Sequence, residues 1–216
     1  MIVWWRECRF IRVNLDSSRR KPAAVRALKT QLREAVRTQI LDAAEELIAA
    51  RGLHGAALAQ IAKKAGVAVG TLYNYFADRD AMIRALFESR RAALRPKLLA
   101  VIGMGQDLKF EARLQQFVRG VLEVFDEHRR FLKVSTETEH YKISPSTIAA
   151  DLSAALEMMV AAGLAERAID PKKAPLLVPM IAGTLRSIVL KRVVDGQPFA
   201  ADADVMVRLF LDGARR

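Results

Sequence analysis

The chain has 216 residues, a net charge of +11 and 52% hydrophobic residues, with 11 glycines, 7 prolines and a single cysteine. That length supports one large or two small domains with a buried core, and the lone Cys8 excludes an intrachain disulfide and suits a reducing, cytoplasmic setting. No run approaches the roughly 18 continuous apolar residues of a membrane span, so no membrane partner is expected. The charge is uneven. Residues 1–95 hold 18 Lys and Arg against 9 Asp and Glu, a balance of +9, whereas residues 96–216 hold 17 against 15, a balance of +2. A basic half beside a near-neutral one points to a polyanion-binding module joined to a part with another task.

In chain order, MIVWWRECRF opens with a short apolar patch that charge soon interrupts, without the apolar core of a signal peptide. Residues 1–32 read as a basic arm of low order, in which Pro22 discourages a helix. The alternatives are an amphipathic membrane-surface segment, with Trp4 and Trp5 near Arg6, Arg9 and Arg12, and extra residues from an upstream start. From Thr30 or Arg33 a helix is expected. Val36, Ile40, Ala43, Ala44, Leu47 and Ile48 recur at helical spacing, and Gly52 ends it. Short helices follow at about 58–65 and 69–75. Asp78 caps a fourth that runs from Arg79 to about Arg95, where Pro96 opposes continuation.

Beyond Pro96, Gly103 and Gly105 mark a break, and Phe110, Leu114, Phe117, Val118, Val121, Leu122 and Phe125 trace a broad apolar stripe. Further helices are expected from Arg130 to Tyr141, from Ser144-Pro145 to Gly163, from Asp170-Pro171 to Val194, and from 201 to 214. Asp195-Gly196-Gln197-Pro198 reads as a turn. Strand alternation is absent, so the expected fold is all-α.

The most informative stretch is LAQIAKKAGVAVGTLYNYF, residues 58–76. Leu58, Ile61, Ala62 and Ala65 give a first helix one apolar face, and Ala62 is small enough to let a second helix cross closely. Gly66 suits a turn that needs positive φ. Val67 can plug the corner. Leu72 and Phe76 bury the inner face of the second helix and leave Val69, Gly70, Thr71, Tyr73, Asn74 and Tyr75 outside. This is the pattern of a helix-turn-helix, although an ordinary helical hairpin with two surface aromatics has the same spacing. The overlap with the basic half favours a DNA reader.

The run IAKKAGVAVGTLYNYFADRDAMIRAL, residues 61–86, preceded by ILDAAEELIAARG at 40–52, resembles the TetR/AcrR family of transcriptional regulators. It follows the family pattern I-A-x-x-A-G-V-S-x-G-T-L-Y-x-[HY]-F at nearly every fixed position and without gaps. The resemblance covers about residues 33–95. It implies an N-terminal three-helix helix-turn-helix DNA-binding domain at 33–95, then a helical effector-binding and dimerisation domain at 96–216.

By position, Val69, Gly70, Thr71 and Asn74 match residues that face base edges or sugars. Tyr73 and Tyr75 match a phosphate-contacting pair, and Arg79 stands where a Lys commonly meets phosphate. Hydroxyl and guanidinium donors suit phosphate oxygens, and Asn74 can pair with an adenine edge or simply face solvent. Ala56, Ala57 and Ala68 depart from the pattern, because they replace capping Ser or Thr residues. Basic residues of the arm (Arg19, Arg20, Lys21, Arg26 and Lys29) offer compensating phosphate contacts.

The family also implies a homodimer through the last two helices, a double-stranded DNA operator and a small-molecule effector. Candidate pocket residues are Phe117, Val121, Phe125, Tyr141, Met158, Met159 and Met180, with Glu137, Glu139 and His140 as possible polar contacts; simple core packing accounts for the same Met and aromatic spacing. The apolar lining favours a mainly hydrophobic effector and a repressor that releases DNA when the effector binds. No cofactor or metal is expected, and an enzyme is disfavoured: His54, His128 and His140 are scattered and no Gly-rich phosphate loop occurs. The rival reading is a helical small-molecule-binding or interaction protein with degenerate DNA binding.

Overall fold

A computed structural model describes residues 20–137 and 147–214. The elements are α1 (Arg20–Gly55), α2 (Leu58–Lys64), α3 (Val69–Tyr75), α4 (Arg79–Gly103), α5 (Phe110–Glu127), α6 (Arg129–Glu137), α7 (Thr147–Ala165), α8 (Ala174–Asp195), a one-turn 3₁₀ helix (Phe199–Asp202) and α9 (Ala203–Ala214). No strand occurs among the described residues, and the fold is all-α.

The chain separates into two units, one up to Gln39 and one from Ile40 onward. The described part of the first is helical from Arg20, ahead of the expected start at Thr30 or Arg33. Pro22 does not prevent this, because it falls in the first turn, where its missing N–H would have no intrahelical partner. Val25, Leu28 and Leu32 of this stretch are exposed. Residues 1–19, with Cys8, Trp4, Trp5 and Arg19, lie outside the described residues.

In the second unit α1 buries Ile40, Ala43, Ala44 and Ile48, the stripe read from the sequence. Gly52 leaves helical geometry at φ 75° and ψ 166°, so the expected stop is a kink, with one further turn beyond it. Helix α4 differs more. It passes through Pro96 and continues to Gly103. Proline removes one backbone hydrogen bond, but Leu94, Leu98 and Val101 on either side of it are buried in the core, and that packing holds the helix together. Residue 95, where the sequence places a domain boundary, is therefore inside a continuous helix.

The main core gathers α5, α7, α8, α9 and the second half of α4. Phe110, Leu114, Phe117, Val118, Val121 and Leu122 of α5 are its centre, each at most 2% exposed. Met82, Ile83 and Leu86, in the first half of α4, are also fully buried but lie outside that cluster, so α4 serves two hydrophobic regions. Polar clamps finish the fold. Lys109, ahead of α5, supplies no side-chain cap, and Glu166 from the end of α7 accepts from the Phe110 N–H at 2.9 Å instead. Arg129 donates to the Arg192 carbonyl at 2.7 Å, bonds Asp126 and the Gln197 carbonyl, and lies 4.2 Å from the centre of the Phe199 ring. Hydrogen bonds from Gln115 and Arg119 tie α5 to Asp204 of α9 and hold that carboxyl below its ordinary pKa.

Helix α8 begins at Ala174 and not at Asp170, because Asp170 makes a turn: its side chain accepts from the Lys172 N–H and its carbonyl from the Ala174 N–H. The expected turn after α8 is present, with Gly196 in the left-handed region at φ 71°. Helices α7 and α8 are long and apolar enough to cross a membrane by length and composition, with mean hydropathy 1.6 and 1.4. Their apolar residues divide between two faces. Leu156, Met159, Leu177 and Ile181 enter the core, whereas Met158, Leu176, Met180 and Val194 are exposed.

Two substitutions test this packing. A Cβ at Gly163 of α7 would stand 2.6 Å from Ile169 Cδ1 and 2.8 Å from the Phe110 ring. Gly163→Ala should lower the unfolding free energy by about 1–2 kcal/mol in urea titrations, because overpacking outweighs the gain in helix propensity. Ala68, the residue before α3, makes no side-chain cap. Ala68→Ser should raise stability by about 1 kcal/mol in the same assay.

Candidate nucleic-acid interface and interior cavity

The turn between α2 and α3 forms as its sequence dictates. Ile61, Ala62 and Ala65 are buried and Leu58 is half-buried. Gly66 has φ 66°, the Val67 N–H reaches back to the Ala62 carbonyl at 3.0 Å, and the Gly66 N–H bonds the Lys63 carbonyl. This six-residue closure needs a left-handed residue at Gly66. Helix α3 then turns Leu72 fully inward, with Phe76 just beyond it only 3% exposed. Val69 is 41% and Tyr73 50% exposed, Gly70 and Asn74 are exposed, and Thr71 and Tyr75 are half-buried. The structure thus brings the six α3 candidates onto one short helix, four of them in solvent.

Arg79 is placed differently from the other candidates. Half-buried, it donates a hydrogen bond to the Leu53 carbonyl at the end of α1, so part of its guanidinium fastens α4 to α1. Its neighbour Asp78 caps α4 as expected, accepting from the Ala81 N–H at 2.6 Å. Ala57 and Ala68 precede α2 and α3 without side-chain caps, and Ala56 is fully buried, which makes it a packing residue. On α2, Lys64 pairs with Glu46 at 2.7 Å and holds that carboxyl below its usual range, while Lys63 is exposed.

A second connection between α1 and α4 lies farther along. Arg90 bonds Glu45 at 2.5 Å and also pairs with Asp42. The Arg90 and Glu45 side chains are only 16% and 11% exposed. Burial disfavours the Arg90 charge, but hydrogen bonds to Asp42 and Glu45 outweigh it and leave the guanidinium pKa above its ordinary value. Adjacent residues of α4 point elsewhere. Phe87 packs edge-on to Phe131 at 5.3 Å, and Arg91 lies 5.5 Å from the centre of the Phe87 ring.

Phe87, Arg91 and Leu94 form one wall of a cavity of about 810 Å³ between α4, α5, α6, α7 and α8. Of the pocket candidates, Val121 and Phe125 line it. Phe117 and Met159 instead fill the packed core, and Met158 and Met180 are 72% and 52% exposed on outer faces. Helical spacing alone could not separate inner from outer faces, because α7 and α8 are apolar on both. Tyr141, Glu139 and His140 lie outside the described residues, as does the Glu137 side chain. Sequence reasoning missed Phe87, Arg91, Ser135, Ser153 and Arg186. The available signal was the Phe87–Arg91 pair at i, i+4 on the fourth expected helix, which the sequence reading assigns wholly to the DNA-binding domain.

Residues 40–86 match the family described as bacterial regulatory proteins, tetR family. The HTH-type transcriptional regulator BetI of Escherichia coli is 36% identical over 84 residues, which are 39% of this chain and 43% of the relative. The match thus spans less than half the length of that relative. Among solved structures, the fatty acid degradation regulator FadR of Bacillus halodurans shares 24% identity at TM-score 0.66, covering 81% of this chain and 94% of that one. FadR of Bacillus subtilis, in complex with stearoyl-CoA, shares 22% identity at TM-score 0.63, covering 82% and 99%. KstR2 of Mycobacterium tuberculosis, a ketosteroid transcriptional regulator, shares 19% at TM-score 0.65, covering 83% and 95%. At such identities these structures are evidence of fold alone. At residues 40–86 the chain thus carries the helix-turn-helix sequence of the bacterial regulatory proteins of the tetR family, within a helical architecture similar to these solved structures over most of its length.

Proposed function

We propose that the protein is a dimeric, sequence-specific DNA-binding repressor that a small, mainly hydrophobic effector releases from its operator. The observation that carries this reading is α3. A seven-residue helix anchored by Leu72 holds Val69, Gly70, Tyr73 and Asn74 in solvent, in the half of the chain with a charge balance of +9. Val69, Gly70, Thr71 and Asn74 would face base edges, and Tyr73 and Tyr75 phosphates. Arg79 can add a phosphate contact with the donors it does not use on Leu53. One short helix reads few base pairs, and a two-fold dimer brings two to half-sites about one helical turn apart.

Support for the dimer comes from α8 and α9, where Leu176, Met180, Leu190, Val194, Val205 and Leu209 are exposed, between 44% and 84% each. Isolated exposed apolar residues are ordinary, but six on two adjacent helices make a surface suited to self-association. Such a regulator would work in the cytoplasm. The cavity supplies an effector site of ordinary size, and the stearoyl-CoA complex of a structural neighbour supports an apolar occupant. Release then requires the effector to bind more tightly to a DNA-incompetent arrangement, with α4 as the shared element.

A second reading, a ligand-binding protein with degenerate DNA binding, is favoured by uncapped α2 and α3 and by the inward bond of Arg79. Binding to the DNA flanking the protein's own gene, against scrambled DNA at two salt concentrations, decides between them. The repressor reading predicts selective binding that Tyr73→Ala weakens by roughly tenfold or more. A Cβ at Gly70 meets nothing within 4 Å. Gly70→Ala should therefore leave the thermal midpoint unchanged or higher while weakening operator binding. Weak, sequence-blind binding that vanishes with salt would favour the second reading.

A further inference from the structure

We infer that the cavity takes an amphiphile with an anionic head group, held by Arg91 of α4 and Arg186 of α8, and an apolar tail directed among Phe125, Leu132 and Leu152. The inference rests on the effector-site reading above and adds the chemistry of the ligand. Twenty described residues line the cavity; two are arginines and none is Asp or Glu. Most other arginines near this core have carboxylate partners: Arg95 pairs with Asp151, Arg113 with Glu166, Arg119 with Asp204, Arg129 with Asp126 and Arg192 with Asp202.

Arg91 and Arg186 have no ion pair among the described residues. Arg91 is half-buried and lies over the Phe87 ring, an interaction that does not use its N–H donors. Arg186 is exposed and lines the same cavity from α8. With no carboxylate among the described lining residues, two guanidiniums beside a low-dielectric apolar wall raise the potential inside, so an anion entering there is favoured. Guanidinium forks suit a carboxylate or a phosphate. Ser153 adds a hydroxyl to the lining, whereas the Ser135 and Thr136 hydroxyls donate to the Leu132 and Lys133 carbonyls of their own helix; the rest is mostly aliphatic and aromatic. A cationic or purely apolar ligand would leave both arginines without a charged partner among the described residues.

Calorimetric titration of the DNA-free, full-length protein, with probes below micelle-forming concentrations, tests this. Laurate, dodecyl phosphate, dodecanol and dodecyltrimethylammonium share one tail and differ in head group. At least one anion should bind at one site per chain and at least tenfold more tightly than dodecanol, with the cation weaker still; comparing laurate with dodecyl phosphate separates carboxylate from phosphate recognition. Arg186→Gln, at an exposed position, and Arg91→Gln should each remove most of the anion preference and spare dodecanol binding. Arg84→Gln, on the same α4 but outside the cavity, should change neither. Equal affinity for anion and alcohol, a preference for the cation, or an anion preference that persists in both cavity variants would overturn the inference. Because no DNA is present, these results are independent of whether the occupant releases an operator.

Discussion

The contact of Arg90 with Asp42 and Glu45 is the constraint on which the remaining geometry turns. Two of the three side chains are nearly buried, so the charges must satisfy one another: removing one partner would leave a buried charge without compensation. The contact fixes the rotation of α4 about its axis relative to α1. With that rotation set, Met82, Ile83 and Leu86 turn inward, and Phe87, Arg91 and Leu94 face the cavity. A single helix thus carries the anchor of one region and the wall of the other.

This arrangement gives the proposed regulation a physical route. Packed cores do not deform continuously, so an occupant pressing on Phe87 or drawing on Arg91 moves α4 largely as a body. Arg90, the next residue, and Arg79, bonded to the Leu53 carbonyl, would pass that movement to α1. Pro96 does not interrupt the helix, because Leu94, Leu98 and Val101 hold the segments around it in the core. In a dimer joined through α8 and α9, a small rotation of α4 would change the separation of the two α3 helices. Operator affinity depends on that separation.

Where one physical demand acted on a residue, the sequence was easy to read. Gly66 needed positive φ, Leu72 and Phe76 needed burial, and the N-terminus of α4 needed an acceptor, which Asp78 supplies; all four residues are as expected. Where two demands competed, local reasoning failed. Pro96 reads as a stop by its own chemistry but is overruled by packing. Met158 and Met180 read as pocket residues by apolar spacing, yet α7 and α8 are apolar on two faces, and these residues sit on the outer ones. The cavity arginines were illegible because a lone arginine reads as a solvated charge. Only the tertiary arrangement lines one cavity with both Arg91 and Arg186 and, among the described residues, with no carboxylate. The helical extension before Thr30 was missed because Pro22 was weighed as a breaker and not as a first-turn residue.

The role of the Arg90 contact can be separated from simple electrostatics by the sign of one result. Asp42→Asn combined with Glu45→Gln keeps side-chain size and raises the net charge by two, which on charge alone should tighten DNA binding. The measurement is operator affinity of this variant, with helix content and oligomeric state checked at the assay temperature. If the contact positions the reading unit, selective affinity should fall by roughly fivefold or more, about 1 kcal/mol, despite the added positive charge. Unchanged or tighter selective binding would contradict the account.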